Sequence, residues 1–150
     1  PDPRLTGKEA SDPERDNPLA NPLTYYERQG LVTDVLQAQG LSCADFSVVP
    51  FPINFPDLYR YYVPLDAVFF LTIYDDWGRT KRDYFKSLGL KTHVLWEVPP
   101  EQKDISAADV RRRILTGQNW EHLVPPVVAD RLKEWHIDER LNTIHLQAQQ

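Results

Sequence analysis

The segment Ala67–Ile73 constrains the fold more than any other part of this sequence. It is almost entirely apolar, and its polar and apolar residues do not alternate. This pattern is typical of a strand covered on both faces, as in a parallel sheet that packs between helices. Two further runs predict strands, namely Phe46–Phe51, which is rich in β-branched and aromatic residues, and Thr92–Val98.

Helix signals precede, separate and follow these strands. Thr24 and Glu27 form a capping box ahead of an apolar face that stops at Gly40, which predicts a helix from about Thr24 to Gln39. Helices and strands that alternate in this way predict an α/β fold with a parallel sheet.

Other segments give weaker helix signals. The Tyr-rich segment Phe55–Tyr62 is a candidate for a short helix. Three more helices are predicted: from Asp75 or Asp76 to Gly89, from a second capping box of Ser106 and Asp109 to Gly117, and from Pro125 and Pro126 through Val128, Leu132 and Trp135.

Length and charge limit the class of protein. The 150 residues are enough for one domain with its own core. The 22 acidic side chains exceed the 17 basic ones, and the net charge of -5 argues against a nucleic acid or a membrane as partner. The apolar runs are too short to cross a bilayer. We therefore expect a soluble, cytoplasmic protein.

Cysteine and histidine offer no metal site. Cys43 is the only cysteine, which excludes an intramolecular disulfide and a cysteine-rich zinc site, and we expect it to pack as a small core residue. The four histidines include no pair spaced as metal ligands on one helix turn. A zinc hydrolase is disfavoured, and no metal ligand is predicted.

The ends of the chain differ from its middle. Residues 1–20 combine prolines with charged residues and contain hardly any large apolar side chain, which predicts a linker or mobile loop. Residues 21–145 carry the predicted elements and form the domain, and residues 146–150 are predicted to be a tail.

Two loops are candidate ligand sites, because ligands of open parallel sheets bind beyond the carboxyl ends of the strands. Thr72–Arg79 is polar and aromatic, and it fits a ligand loop as well as it fits a helix cap with a packed tryptophan. Ile105–Arg113 starts a helix with a serine ahead of three arginines, which outlines a phosphate site. The commoner alternative for it is a capped helix with a solvated basic face.

Several catalytic motifs are absent from the sequence. It contains no GxxxxGK[ST], GxGxxG or GxSxG pattern, which disfavours phosphate-loop kinases, dinucleotide dehydrogenases and α/β-hydrolases. The adjacent carboxylates Asp75 and Asp76 have the spacing of a loop or cap rather than of an acid/base pair, and they are assigned no catalytic role.

Three stretches together resemble a known family. They are Asn21–Arg28 (NPLTYYER), Ile105–Ile114 (ISAADVRRRI) and Trp120–Val128 (WEHLVPPVV). In order and spacing they resemble the archaeal nicotinamide-nucleotide adenylyltransferases, and more broadly the HxGH nucleotidylyltransferase superfamily. The likeness covers about Asn21 to Arg140 and implies a Rossmann-like parallel sheet flanked by helices.

The resemblance implies a reaction and a set of site residues. The reaction is transfer of AMP from ATP to a mononucleotide such as nicotinamide mononucleotide in NAD biosynthesis, with Mg²⁺ and release of pyrophosphate. Arg111 matches the arginine that contacts the ATP phosphates and stabilises charge during the attack. The other matched positions are Ser106 and Arg28 at the phosphates, Asp76, Trp77 and Gly78 at the adenosine, and Asn54 and Phe55 at the ring of the acceptor.

The sequence departs from the family pattern in two places. Ala108 stands where the motif usually has threonine, which removes one hydroxyl from the phosphate site, a loss of about 1 kcal/mol. The HxGH segment itself is absent, and the sequence contains no methionine and begins at Pro1. We therefore expect either the C-terminal half of a longer enzyme, which lacks the first strand-loop-helix unit and is active only together with it, or a chain that has lost the catalytic histidines.

Alternative functions stay open on the sequence. One is a cytidylyltransferase or another nucleotidyltransferase with a different acceptor. Another is a non-catalytic nucleotide-binding module that has lost HxGH, and the third is an α/β domain without a ligand. Similar proteins assemble as homo-oligomers, and Tyr59, Tyr61 and Tyr62 are candidates either for such a contact or for the core.

Overall fold

The computed structural model describes residues 17–102 and 105–148. Its regular elements follow one another in the order α1, β1, α2, β2, α3, α4 and α5. Their bounds are α1 Tyr25–Ala38, β1 Val68–Ile73, α2 Asp76–Ser87, β2 Lys91–Glu97, α3 Ala107–Leu115, α4 Pro126–Glu134 and α5 Ile137–Gln147, with short 3₁₀ helices at Pro56–Tyr61, Pro100–Gln102 and Glu121–Leu123.

The described chain forms two compact units. The helical unit contains residues 17–50 and 105–148 and therefore α1, α3, α4 and α5. The sheet unit contains residues 51–102 and therefore β1, α2 and β2. The second chain segment of the helical unit thus starts only after the whole sheet unit.

The helical unit has its own apolar core. Side chains of α3, α4 and α5 form its buried part, which consists of Val110, Ile114, Leu132, Ile137 and Leu141. Leu31 of α1 packs against this cluster and brings the first chain segment onto it. The core of this unit therefore joins side chains from both chain segments.

The start of α1 is fixed by hydrogen bonds and an ion pair. Thr24 and Glu27 form the predicted capping box. The carboxylate of Glu27 also binds Arg140 of α5 through two contacts, at 2.9 Å to Nη1 and 2.8 Å to Nη2. The hydrogen bond from Arg140 holds the pKa of Glu27 below its usual range. One carboxylate thus caps α1 and ties it to α5.

The sheet unit is built on a parallel pair of strands. In β1 and β2, Val68 pairs with Lys91 and Leu71 with Val94. The face of the sheet toward α2 carries the core of this unit, whose buried members are Tyr59, Leu71, Phe85 and Leu90. The predicted α/β class with a Rossmann-like parallel sheet and helices is confirmed.

Gly78, in the first turn of α2, allows this helix to approach β1 closely. A Cβ atom at this position would lie 3.3 Å from both Cα and Cγ2 of Ile73, which is fully buried. Asp75 caps α2 and accepts a hydrogen bond from the N–H of Gly78 at 2.8 Å. The packing between helix and strand therefore explains the glycine.

One predicted strand is wrong. Residues 46–50 are irregular, and the sheet pairs β1 with β2 alone in the described part of the chain. Pro50 and Pro52 lack the N–H groups that a strand ladder needs, which explains the failure. The contact of this stretch with α1 is a hydrogen bond from the hydroxyl of Tyr25 to the carbonyl of Val48.

The helix predicted from Pro125 and Pro126 is present as α4, and it is followed by a further helix that was not predicted. α4 ends at Glu134, and His136 takes a left-handed conformation with a φ of 49° before α5 starts at Ile137. The resulting turn was not predicted, because a left-handed histidine carries no glycine signal. The last helix continues to Gln147, so residues 146 and 147 belong to it.

Two expectations about single side chains also change. Cys43 is exposed rather than buried, and its Sγ accepts a hydrogen bond from Gln37 at 3.0 Å. Of the three clustered tyrosines, Tyr59 is core, whereas Tyr61 and Tyr62 are exposed. The hydroxyl of Tyr59 donates to the carbonyl of Ile53, which meets its polar requirement inside the core.

Two further expectations concern the ends of the chain and the membrane. The linker predicted for residues 1–20 lies outside the described residues up to position 16, and residues 18–20 form a turn. Within the described ranges, none of the helices has the length and apolar character needed to span a bilayer.

The Glu27–Arg140 pair yields a pH-dependent prediction. We expect Arg140→Gln to lower the free energy of unfolding by about 2 kcal/mol at pH 7, the usual contribution of a charged hydrogen bond. Folding lowers the pKa of Glu27, so this contribution is fully present when the pH is above the ordinary pKa of a glutamate. It is lost as the pH falls through the pKa that Glu27 has in the folded protein. Urea unfolding at pH 7 and pH 3.5 measures the difference.

Lys133→Gln is the control for that pair. Lys133 binds Glu121 at 2.8 Å, but both side chains are half exposed, so we expect a change below about 0.5 kcal/mol. An Arg140→Gln effect that is equally large at both pH values would contradict the assignment to the charge of Glu27.

Two glycine substitutions should change stability in opposite directions. We expect Gly78→Val to destabilise by about 2 kcal/mol, because its side chain would press on buried Ile73. Gly30 lies inside α1 with nothing within 4 Å of an added Cβ, so Gly30→Ala should stabilise by about 0.5–1 kcal/mol. Thermal unfolding of both variants tests this, and equal signs would contradict the packing argument.

Candidate functional site

The start of α3 is capped by Ser106. Its hydroxyl oxygen accepts from the N–H of Asp109 at 3.1 Å, and its hydroxyl donates to the Asp109 carboxylate at 2.7 Å. The predicted second capping box is therefore only half formed, because the carboxylate of Asp109 binds the hydroxyl of Ser106 instead of its backbone N–H. The hydrogen bond from Ser106 also lowers the pKa of Asp109. In this arrangement, the hydroxyl of Ser106 caps α3.

The backbone of the first turn of α3 is open to an anion. The first N–H groups of a helix have no partner within it, and they carry the positive end of its dipole. Ala107 and Ala108 are small and exposed, so their own side chains do not cover these groups. Ala108, which replaces the usual threonine, thus leaves the backbone donors accessible but supplies no hydroxyl.

The three arginines of α3 differ in their contacts. Arg112 lies 3.4 Å from the Asp109 carboxylate, and Nη1 of Arg113 donates to the carbonyl of Asn119 at 3.0 Å. Arg111 is half-buried, and its guanidinium has neither a hydrogen bond nor an ion pair to any other described residue. Burial lowers the pKa of Arg111. A cation in this state gains most from an approaching anion.

Arg28 belongs to the same unit as Ser106 and Arg111. Arg28 follows Glu27 on α1 and is exposed. Within the described ranges, its guanidinium forms no ion pair. The two neighbours therefore differ, since Glu27 binds Arg140 and Arg28 is available to a ligand.

The residues predicted to hold the adenosine begin α2. Asp76 binds Arg79 at 2.8 Å, and the ammonium of Lys81 lies 4.6 Å from the centre of the Trp77 ring. Gly78 is buried against Ile73. Each of the three has a structural contact of its own, so their predicted binding role stays a prediction.

The residues predicted to hold the acceptor precede the first 3₁₀ helix. Asn54 is half-buried in a turn, and Phe55, at the N-cap of that helix, is 42% exposed. Both belong to the sheet unit together with Asp76, Trp77 and Gly78, whereas Arg28, Ser106 and Arg111 belong to the helical unit. The predicted site is thus divided between the two units.

An aromatic pair at the carboxyl ends of the strands was missed by the sequence interpretation. The indole N–H of Trp96 donates to the hydroxyl of Tyr74 at 2.9 Å, and Trp96 is 48% exposed. Tyr74 lies in the loop Thr72–Arg79, which fitted a ligand loop and a helix cap equally well, whereas Trp96 was interpreted only as part of a strand. The sequence signal that could have singled out Trp96 was its position near the carboxyl end of that strand, where parallel sheets bind ligands.

A protein-bound magnesium ion finds little support in the side chains. Among the described residues, no group of three or more His, Cys, Asp or Glu lies close enough to hold a metal ion. The dedicated carboxylate cage of a tightly bound cation is therefore not formed by these residues. Where an enzyme uses a nucleotide, magnesium commonly arrives on its phosphates and has few protein ligands.

Comparison with known proteins identifies nucleotidyltransferases. A phosphonoformate cytidylyltransferase from Streptomyces viridochromogenes is 49% identical over 141 residues, which cover 94% of this chain and 76% of that protein. A nicotinamide-nucleotide adenylyltransferase from Pyrococcus furiosus is 33% identical over 129 residues, covering 84% of this chain and 66% of that protein. The corresponding protein from Thermococcus sibiricus is 31% identical, with 84% and 67% covered. No family model matches the chain.

The different surroundings of the arginines predict different anion affinities. We expect Arg111→Ala to weaken binding of inorganic tripolyphosphate about 10- to 100-fold, because a partly desolvated charge-assisted contact is lost. Arg112 is exposed and paired with Asp109, so Arg112→Ala should change the affinity less than about threefold. Titration calorimetry at fixed ionic strength measures both, and equal losses would indicate only a diffuse basic surface.

Proposed function

This chain belongs to the nucleotidyltransferase family of these relatives, and we propose that it transfers a cytidylyl group from CTP to a small phosphonate acceptor. The supporting observation is the 49% identity, over nearly the whole chain, with a phosphonoformate cytidylyltransferase. Phosphonoformate is a small dianionic or trianionic compound that joins a phosphonate directly to a carboxylate. The proposed acceptor class is therefore a compact phosphonate with a second acidic group.

The adenylyl reaction implied by the first resemblance becomes the alternative. The nicotinamide-nucleotide adenylyltransferases are about one third identical to this chain, and they align with a smaller share of it. The difference in identity favours the cytidylyl reaction, which the sequence had left open. Transfer of AMP to nicotinamide mononucleotide is thus the second candidate.

The proposed chemistry is a direct displacement at phosphorus. An oxygen of the acceptor phosphonate attacks the α-phosphorus of CTP, a new P–O bond forms, and the bond to the β-phosphate oxygen breaks. Pyrophosphate leaves with the electron pair, and the product is a mixed anhydride in which one oxygen joins the phosphorus of the acceptor to that of CMP. No proton needs to be removed from an ionised phosphonate, so the reaction needs no general base on the protein.

The main requirement of this reaction is to hold several negative charges together. Positioning and charge stabilisation supply most of the rate in phosphoryl transfer. Positive charge is offered to the triphosphate by the N–H groups at the start of α3 and by the guanidinium of Arg111, which has no ion pair within the described part of the chain. Arg28, which has no ion pair among the described residues, is proposed as a second phosphate contact.

Magnesium is proposed only as a companion of the triphosphate. When bound, it would neutralise charge on the phosphates that leave as pyrophosphate. The described residues do not form a cluster that would hold it on their own. All assays of the proposed activity therefore include Mg²⁺.

Pyrophosphate release tests the proposed function. With Mg²⁺, and with an HxGH segment supplied upstream of this sequence, we expect the protein to turn over CTP with phosphonoformate at least about tenfold faster than ATP with nicotinamide mononucleotide. Arg111→Ala should lower kcat/KM for CTP by about 100-fold, because the lost contact strengthens as charge moves during the reaction. Arg112→Ala is the matched control on the same helix and should retain most of the activity.

Each other result supports a different function. Turnover with ATP and nicotinamide mononucleotide alone would support the adenylyl alternative and overturn the cytidylyl proposal. Binding of nucleotides without turnover of any pair would indicate a non-catalytic nucleotide-binding module. If neither nucleotide binds, the proposed function fails altogether.

A further inference from the structure

The register of the sheet changes near the carboxyl ends of its strands. Leu71 of β1 pairs with Val94, but the next residue, Thr72, pairs with Trp96. Leu95 is therefore an extra residue in β2, which makes a β-bulge. Bulges are rare in parallel pairs, and they occur preferentially next to functional sites, where they redirect a side chain.

The bulge decides which side of the sheet Trp96 faces. Strict alternation would place Trp96 on the same face as Thr92 and Val94, which are half-buried. Because of the extra residue, Trp96 pairs with Thr72 and faces away from α2, with 48% of its surface exposed.

The residue after Trp96 turns the opposite way. Glu97 pairs with Ile73 and reaches α2, where its carboxylate binds Arg79 at 2.8 Å. The bulge therefore has two effects: it brings the carboxylate of Glu97 to Arg79, and it leaves the indole ring of Trp96 exposed.

The exposed ring is also held in one orientation. The indole N–H of Trp96 donates to the hydroxyl of Tyr74 at 2.9 Å. Tyr74 comes directly after β1 and directly before Asp75, the cap of α2. The pair thus lies where an open parallel sheet binds its ligands, at the carboxyl ends of its strands. A large apolar ring that is both exposed and oriented is suited to stacking against a flat ligand.

We propose that Trp96 and Tyr74 form the surface on which the base of the bound nucleotide stacks. This inference rests on the proposed function, whose substrate CTP supplies one planar ring, the cytosine. Stacking on an aromatic side chain is tolerant of base identity, because every base has a π face. The pair therefore supplies affinity for the nucleoside part of the nucleotide.

Two ligands separate base contacts from phosphate contacts. Trp96→Ala should weaken CTP binding about tenfold, but it should leave the affinity for inorganic tripolyphosphate, which has no base, within about twofold. Arg111→Ala should weaken binding of both ligands. Leu95→Ala is the matched control, because Leu95 is the adjacent residue, is 50% exposed and has no aromatic face. It should leave both affinities unchanged.

A conservative variant keeps the test valid if Trp96→Ala unfolds. Trp96→Phe retains an aromatic face, so we expect CTP to bind within about threefold of the wild-type affinity. CTP should quench the tryptophan fluorescence of the wild-type protein, and most of that quenching should disappear in Trp96→Phe. Quenching that is unchanged in Trp96→Phe would overturn the proposal.

The outcomes distinguish this inference from the proposed function. If the wild-type protein binds and turns over CTP but Trp96→Ala has the wild-type affinity, the stacking surface is wrong and the proposed function stands. If Trp96→Ala loses CTP and tripolyphosphate equally, Trp96 supports the fold rather than the base, and the inference is overturned. If the wild-type protein binds tripolyphosphate but neither CTP nor ATP, both proposals fail.

Discussion

The helical unit depends on contacts between two chain segments that are far apart in sequence. The clearest is the ion pair of Glu27 with Arg140, whose positions differ by 113 residues. Arg140 also donates to the carbonyl of Pro22, and the pair of Arg131 with Asp34 joins α4 to α1 at 2.8 Å. These polar contacts act together with an apolar core to which both segments contribute. None of the residues of α1 is fully buried, so its position depends on these contacts.

This closure matters for the candidate site because of where it lies on α1. Glu27 caps the helix, binds Arg140 and immediately precedes Arg28. The first turn of α1, to which Arg28 belongs, is therefore tied to a residue of α5. The two neighbouring residues therefore differ in role. Glu27 is a structural side chain, whereas Arg28 has no ion pair among the described residues.

Local signals were sufficient to predict most elements. The caps at Thr24, Asp75 and Ser106 and the glycines at the helix ends predicted α1, α2 and α3 closely, because these signals act within one turn of the helix. The strand at 46–51 failed because its apolar pattern competed with two prolines, and only tertiary contacts decide such a case. The left-handed turn at His136 and the exposure of Cys43 likewise depend on packing.

The candidate site was predictable in its residue types but not in its contacts. The motif singled out Arg111 among three consecutive arginines, and the structure adds that Arg112 and Arg113 already have partners. Which arginine lacks a partner depends on Asp109 and Asn119, and sequence spacing alone does not rank these contacts. The hydroxyl of Ser106 is a similar case, since its bond to Asp109 depends on one side-chain rotamer.

The bulge at Leu95 separates the number of residues in β2 from the faces on which its last side chains lie. In a regular strand, adding one residue exchanges the two faces for everything that follows. The same sequence paired without the bulge would therefore direct the carboxylate of Glu97 to the open face and the indole of Trp96 toward α2. The bulge takes up the extra residue, so a relative with one residue fewer at this position would keep an equivalent indole and carboxylate on the same two faces, and a one-residue gap in an alignment here would be neutral for this edge of the sheet.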